Sequence, residues 1–183
     1  MSAFGPTTAP DARYLMNDSG ESNVAVSATP TEINRVADVS SRVVTLTGDT
    51  TLTVADHSDK VLLLGEVGGN AAVAITLPAA TGSGGRFKFY VSVVNTSGYT
   101  IQVADATDTM DGHIFSTQDA ADTVVGWETA STSDTITLNG TTTGGAAIGD
   151  WVELVDIASN QYAVSGMITS TGTEATPFSA AVS

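Results

Sequence analysis

The stretch from Ala74 to Val94, AITLPAATGSGGRFKFYVSVV, restricts the fold more than any other part of the chain. From Arg86 onward the residues alternate, with Phe87, Phe89, Val91 and Val93 on one face and Lys88, Tyr90 and Ser92 on the other. A period of two marks a β-strand with one buried face, because successive side chains of an extended chain point to opposite sides. Upstream, Ala74 to Leu77 reads as another strand that stops at Pro78, which has no N–H to give a ladder. Between the two, Thr81-Gly82-Ser83-Gly84-Gly85 offers residues that accept positive φ, so a hairpin reversal is expected here. The second strand holds two of the five phenylalanines and two of the six basic residues. That predicts a central strand lying over the core.

From Arg42 onward only strands are expected. They are Arg42 to Thr47, Thr51 to Ala55, Lys60 to Leu64, Tyr99 to Ala104, His113 to Phe115, Thr123 to Thr129, Thr135 to Leu138, Trp151 to Ile157 and Gln161 to Ile168. Lys60 to Leu64 is a near-continuous apolar run and reads as buried on both faces. Turn signals recur about every 8–12 residues, the spacing of a sandwich or barrel. No repeat of fixed length is visible, which argues against a solenoid. One short helix is predicted after Thr29, with Pro30 at its first position, Glu32 closing a capping box, and Ile33, Val36 and Ala37 on one face. The fold expected is all-β: an antiparallel sandwich or barrel of jelly-roll type over residues 29–183, preceded by an extended N-terminal arm over residues 1–28.

The arm reading rests on Gly5, Pro6, Pro10 and Gly20, which interrupt any helix or central strand. Phe4 and the knot Tyr14-Leu15-Met16 are apolar groups that a solvated tail does not need. They are candidates for docking on a neighbouring subunit; the plain alternative is a loosely packed tail.

Charge narrows the partners. Twenty acidic residues against six basic ones give a net charge of −14, which repels phosphate backbones and anionic membrane surfaces. Neither nucleic acid nor membrane is an expected partner, whereas a neutral or positive protein surface is compatible. Charged residues are only 14% of the chain, so Thr, Ser, Asn and Gly must make up much of its surface, as suits a subunit that lives in an assembly. There is no cysteine, hence no disulfide and no thiolate metal site. No run approaches the roughly 18 apolar residues of a membrane span. The first 15 residues lack the basic region and apolar core of a signal peptide.

Chemistry-bearing residues are few. Asp56-His57-Ser58-Asp59 contains the residue types of a hydrolytic triad, but adjacent positions in one turn cannot face one another, so a solvated turn is expected. His113 at a strand start reads as a surface residue. Asp105, Asp108 and Asp111, spaced by three before Gly112, are the best calcium candidates, with Asp119 and Asp122 as possible additions. Their spacing is not that of an EF-hand, and a solvated acidic loop is the alternative. The glycine-rich segments lack the Lys-Ser/Thr of a phosphate loop and read as turns. Trp127 in an alternating strand is expected in the core. Trp151 opens an apolar run and is a candidate for either core or subunit contact. No cofactor and no catalytic activity are expected.

The segment Leu77-Pro78-Ala79-Ala80-Thr81-Gly82-Ser83-Gly84, followed by an aromatic alternating strand, resembles one that recurs in small virion proteins of tailed bacteriophages, the head-decoration or cement proteins. Thr31 to Ser40, Thr129 to Asn139, Gly149 to Leu154 and Gly172 to Phe178 are similar in the same order. The resemblance covers about residues 31–178 and brings no catalytic residues with it. It implies a structural protein made in the host cytoplasm and placed on the outer surface of the capsid. There it would bind the major capsid protein and stabilise the head, as a homotrimer at three-fold points. A receptor- or glycan-binding fibre module is the alternative, using Tyr99, Trp127 or the Asp105–Asp111 loop. A polysaccharide-degrading enzyme would need paired carboxylates in one cleft.

Overall fold

The computed structural model describes residues 14–15, 24–25, 29–37, 42–67, 72–94, 96–118 and 122–183. The chain divides into two compact units, Met1–Ser40 and Ser41–Ser183. In the first, β1 (Tyr14–Leu15) pairs antiparallel with β2 (Val24–Ala25), and α1 (Pro30–Ala37) follows. The capping box forms as the sequence predicts. Thr29 N donates to Glu32 Oε2 at 2.6 Å, and Glu32 N donates to Thr29 Oγ1 at 3.2 Å. Two of the helix's orphan amide-level contacts are thereby satisfied reciprocally.

The second unit is an all-β sandwich of two sheets. Its elements are β3 (Val43–Leu46), β4 (Thr50–Thr51), α2 (Val54–His57), β5 (Lys60–Leu64), β6 (Val73–Thr76), β7 (Arg86–Val91) and β8 (Tyr99–Gln102). There follow β9 (Thr109–Gln118), β10 (Val124–Glu128), β11 (Thr135–Leu138), β12 (Trp151–Ala158), β13 (Gln161–Ser170) and β14 (Phe178–Ser179). One sheet has the order β10-β9-β13-β12-β7-β5-β3, the other β14-β11-β8-β6-β4.

Connectivity corrects the antiparallel, jelly-roll expectation. From β3 to β8 the chain passes from one sheet to the other at every step, so β3, β5 and β7 run parallel, as do β4, β6 and β8. This half is a short coil. The register offsets between successive turns are 18 residues from Val43 to Val61, 27 from Val61 to Lys88, 25 from Thr50 to Ile75 and 26 from Ile75 to Ile101. Turns of unequal length leave no fixed period in the sequence, so the absence of a repeat did not exclude coiling. The second half closes the sandwich with antiparallel ladders of β12 on β7 and β13, and of β11 on β8 and β14. One further parallel pair joins β13 to β9.

The Ala74–Val94 hairpin is corrected for the same reason: β6 and β7 belong to different sheets, and the glycine-rich segment between them is a crossing. The strand itself is as read. β7 is central, and Phe87, Phe89 and Val91 are buried, although the strand ends at Val91 and Val93 is 46% exposed. β5 buries only one face, since Val61 points outward at 36% exposure. The strand expected over Thr51 to Ala55 stops at Thr51. Thr53 instead caps a second helix, accepting from Asp56 N at 3.1 Å.

Inward residues of both sheets form a single cluster that includes Leu62, Ile75, Phe89, Ile101, Ile136 and Leu154. Phe87 meets Tyr162 edge-to-face at 6.4 Å between ring centroids, the arrangement that ring quadrupoles favour. Phe89→Ala should therefore cost about 3–5 kcal/mol, read as a fall in denaturant midpoint at unchanged slope. An unchanged midpoint would mean that this face is not the core.

Candidate functional site

The segment that carries the family resemblance is occupied with holding the sandwich together. After Leu77 the chain crosses between sheets, and the backbone N–H groups from Ala80 to Gly85 are all paired. Pro78 O accepts from the Tyr162 hydroxyl at 2.7 Å. Ala80 N donates to Asp108 Oδ2 at 3.1 Å, and Ala80 O accepts from Asn160 N at 3.0 Å. Thr81 N, Gly82 N and Ser83 N then all donate to the carboxylate of Asp156, at 3.0, 2.7 and 2.9 Å, and Ser83 Oγ adds a fourth bond at 2.7 Å. Converging consecutive amides make an anion-binding nest. Gly82 is required in it: its φ is +77°, and an added β-carbon would stand 3.3 Å from the Ala158 backbone. Asp156 is in regular register with Tyr162 just before a shift near the end of β12, so strand alternation puts its side chain on the inward side with Val152 and Leu154.

Two more buried aspartates fasten loops in the same manner. Asp150 accepts from Thr169 N at 2.8 Å and Gly145 N at 3.1 Å. Asp134 accepts from Ala181 N at 2.8 Å and from the Thr135 hydroxyl at 2.7 Å. These roles were not legible in the sequence.

The calcium candidates separate. Asp105 caps its own turn through Thr107 N at 2.8 Å, Asp108 is buried against Ala80, and Asp111 lies on β9 accepting from Gln161 Nε2 at 2.7 Å. Asp122 is exposed, and Asp119 lies outside the described residues. Among the described residues no three His, Asp or Glu side chains are grouped to hold a metal. The Asp56–Asp59 group serves α2: His57 Nδ1 accepts from Thr53 N at 3.0 Å, and Ser58 Oγ donates to Val54 O at 2.7 Å. His113 is exposed on β9, with its Nε2 3.9 Å from Glu128 Oε1.

Of the candidate contact residues, Phe4 and Met16 lie outside the described residues, while Tyr14 and Leu15 form β1. Trp151 is the informative one. It faces outward from the seven-stranded sheet, in register with Tyr90 on β7 and Met167 on β13, and Met167 is in register with Phe115 on β9. The result is an apolar row running across four adjacent strands. Phe115 lies over Gly126 of the edge strand β10, within 3.5 Å of where a β-carbon would stand. Trp127 points the other way and packs against the core, as expected. Tyr99 is fully buried and donates its hydroxyl to Gly65 O, so it offers nothing to a ligand.

Beside this row lies a groove of ≈310 Å³ lined by Asp59, Lys60, Val61, Arg86, Lys88, Tyr90 and Glu153. Glu153 is its buried centre. Arg86 donates to Glu153 Oε1 through Nε at 2.9 Å and also through Nη2, and Lys88 Nζ stands 3.6 Å from Oε2. The same ammonium lies 4.3 Å from the Trp151 ring centroid and 5.3 Å from that of Tyr90. Cation and rings attract through the ring quadrupoles. The alternation of Arg86, Lys88 and Tyr90 was visible in the sequence, but the partner strand that sets Trp151 and Glu153 opposite them was not.

No protein-family model, curated protein or solved structure matches this chain.

The loop staple is testable through pH. Burial is the largest influence on Asp156 and pushes its pKa up, but hydrogen bonds from Ser83, Gly82 and Thr81 together outweigh it and hold the group below the usual aspartate range. The unfolded chain then binds that proton more readily than the folded one. The stabilisation is full above about pH 4 and is lost as pH falls through the folded value. Asp108 and Asp150 act with the opposite sign. Burial raises both, so their contribution is full at low pH and is lost as pH rises through their folded values. Asp156→Ala removes the charged acceptor of three part-buried hydrogen bonds, worth about 1.5–3 kcal/mol each. A loss of at least about 3 kcal/mol at neutral pH is expected. The gap between wild type and Asp156→Asn should narrow below about pH 4; a gap independent of pH would contradict the assignment.

Proposed function

We propose that the protein is a non-enzymatic structural subunit on the outer surface of a tailed-phage head, where it binds the major capsid protein and stabilises the shell. The observation that carries the reading is the outward face of the seven-stranded sheet. Trp151 and Tyr90 stand there in register, with Arg86 further along the same face of β7, and these are the three residue types most enriched at the energetic centres of protein interfaces. The resemblance of the Leu77–Gly84 segment supplies the phage context, with a homotrimer as the expected form.

Two further observations favour this over the alternatives. Lys88 covers the rings of Trp151 and Tyr90, which leaves less aromatic face for a sugar to stack on. The buried Asp108, Asp134, Asp150 and Asp156 spend their oxygens on backbone amides and neighbouring hydroxyls.

Heads assembled without this chain should lose resistance to heat and osmotic shock and regain it when the purified protein is added back. Heads of equal resistance with and without it would refute cementing, as would its location on the tail in images of whole particles.

A further inference from the structure

We infer that β10 is an association edge: the β10 strands of two copies of this chain pair antiparallel about a two-fold axis at Gly126, joining the two seven-stranded sheets into one. The inference does not use the Trp151 face or its proposed attachment. A two-fold seam is also separate from the three-fold contact expected of the subunit, and a chain that makes both forms a hexamer.

Unpaired backbone is the first ground. Gln118 N donates to Thr123 O, and Thr129 N donates to Gly112 O. Together with the β9–β10 register, this turns the backbone groups of Thr123, Val125, Trp127 and Thr129 toward β9. Those of Val124, Gly126 and Glu128 point out of the sheet, and among the described residues none of them has a partner. The two sheets end in four edge strands. β10 is the longest, with 5 residues against 4 in β3 and 2 each in β4 and β14. Sheet edges are ordinarily blunted by proline, lysine or a bulge. β10 has none of these: it reads Val124-Val125-Gly126-Trp127-Glu128 in unbroken register, and Val124 is 63% exposed.

Self-complementarity is the second ground, and it selects a second copy over other strands. A two-fold axis at Gly126 sets Gly126 against Gly126, Val124 against Glu128, Val125 against Trp127 and Thr123 against Thr129. Every outward backbone group of Val124, Gly126 and Glu128 then finds its partner. Pairs of a β-branched residue with an aromatic one, and of two threonines, are favourable cross-strand neighbours. No acidic group faces another. The two Glu128 residues stand about 14 Å apart along the seam at about 3.4 Å per residue, beyond the screening length of about 8 Å at physiological salt. This spacing matters for a chain of −14, whose copies repel one another as wholes. Gly126 leaves the outward side of the axis open, and the half-exposed Phe115 ring already lies over it. Rings from both copies flank the seam. Aromatic cover of an edge glycine also holds the strand in shape before pairing.

The test weighs the full chain by sedimentation at about 1 mM, since a single edge pairing is a small interface. Wild type is expected as an even-numbered particle. Val124→Glu sets carboxylates opposite each other at both ends of the seam and should weaken association about 3- to 30-fold, drawing the mass toward half. Adding Glu128→Lys to that variant restores opposite charges and should restore the mass. Val124→Lys alone should associate at least as tightly as wild type. Amide exchange reads the same seam: Val124, Gly126 and Glu128 should be protected in wild type and exchange freely in Val124→Glu. Val125 and Trp127, bonded to β9, should stay protected in both. Equal masses of wild type and Val124→Glu, no restoration by the second substitution, or free exchange of Gly126 in concentrated wild type would overturn the inference. Protection of these amides only in assembled heads would also overturn it, because a strand of another protein would then be the occupant.

Discussion

Asp156 is the last inward-facing residue of β12 before the bulge, and its carboxylate accepts three consecutive amides of the loop that feeds β7. Around it Gly84 N donates to Asp156 O at 2.9 Å, and Asp156 N donates to Gly85 O at 3.0 Å. The β7–β12 ladder thus continues into the loop and ends on a charged group. Hydrogen bonds to a charged acceptor contribute about 1.5–3 kcal/mol each, but burying the carboxylate costs several kcal/mol. The larger effect is on specificity. A one-residue slip of β12 would move Asp156 out of its nest and turn Glu153 and Trp151 toward the core. Pinned as it is, the register sets Glu153 opposite Lys88 and Trp151 opposite Tyr90. The outward face owes its composition to that pairing.

The rest of the fold follows a similar economy. Two of the crossings of this coil, Thr81 to Gly85 and Ser92 to Gly98, are rich in Gly, Ser and Thr, which bury little apolar surface. Order in such loops has to come from polar contacts. Asp108, Asp134 and Asp156 supply it by each accepting backbone amides of a segment remote in sequence, and Asp150 by tying its own loop at Gly145 to Thr169 of β13. Part of the acidic excess is therefore internal fastening, while Arg86 and Lys88 stand with Glu153 on the outward face of β7 and β12.

Period-two alternation made β7 and its buried face legible, because Phe87, Phe89 and Val91 must share a side whatever pairs with them. The capping box of α1 was legible because it is local in sequence. Pairing was not. Alternation is the same in parallel and antiparallel ladders, and Thr81 to Gly85 suits a hairpin as well as a crossing between sheets. The missed helix α2 had a local signal in Thr53 and Asp56, overridden in the reading by the β-branched residues before it. Trp151 was recognised as a contact candidate from its apolar run. Its partners Lys88, Tyr90 and Glu153 depend on a register between strands some sixty residues apart, which no local pattern encodes.

Amide hydrogen exchange of Thr81, Gly82 and Ser83 tests most directly whether this loop is the pin. If the Asp156 carboxylate holds all three, they should exchange only on global unfolding, at the rate of Phe89 in the middle of β7, despite lying in a glycine-rich loop. Exchange as fast as at an exposed glycine such as Gly172 would show that the loop opens on its own and that the register of β7 and β12 is set elsewhere.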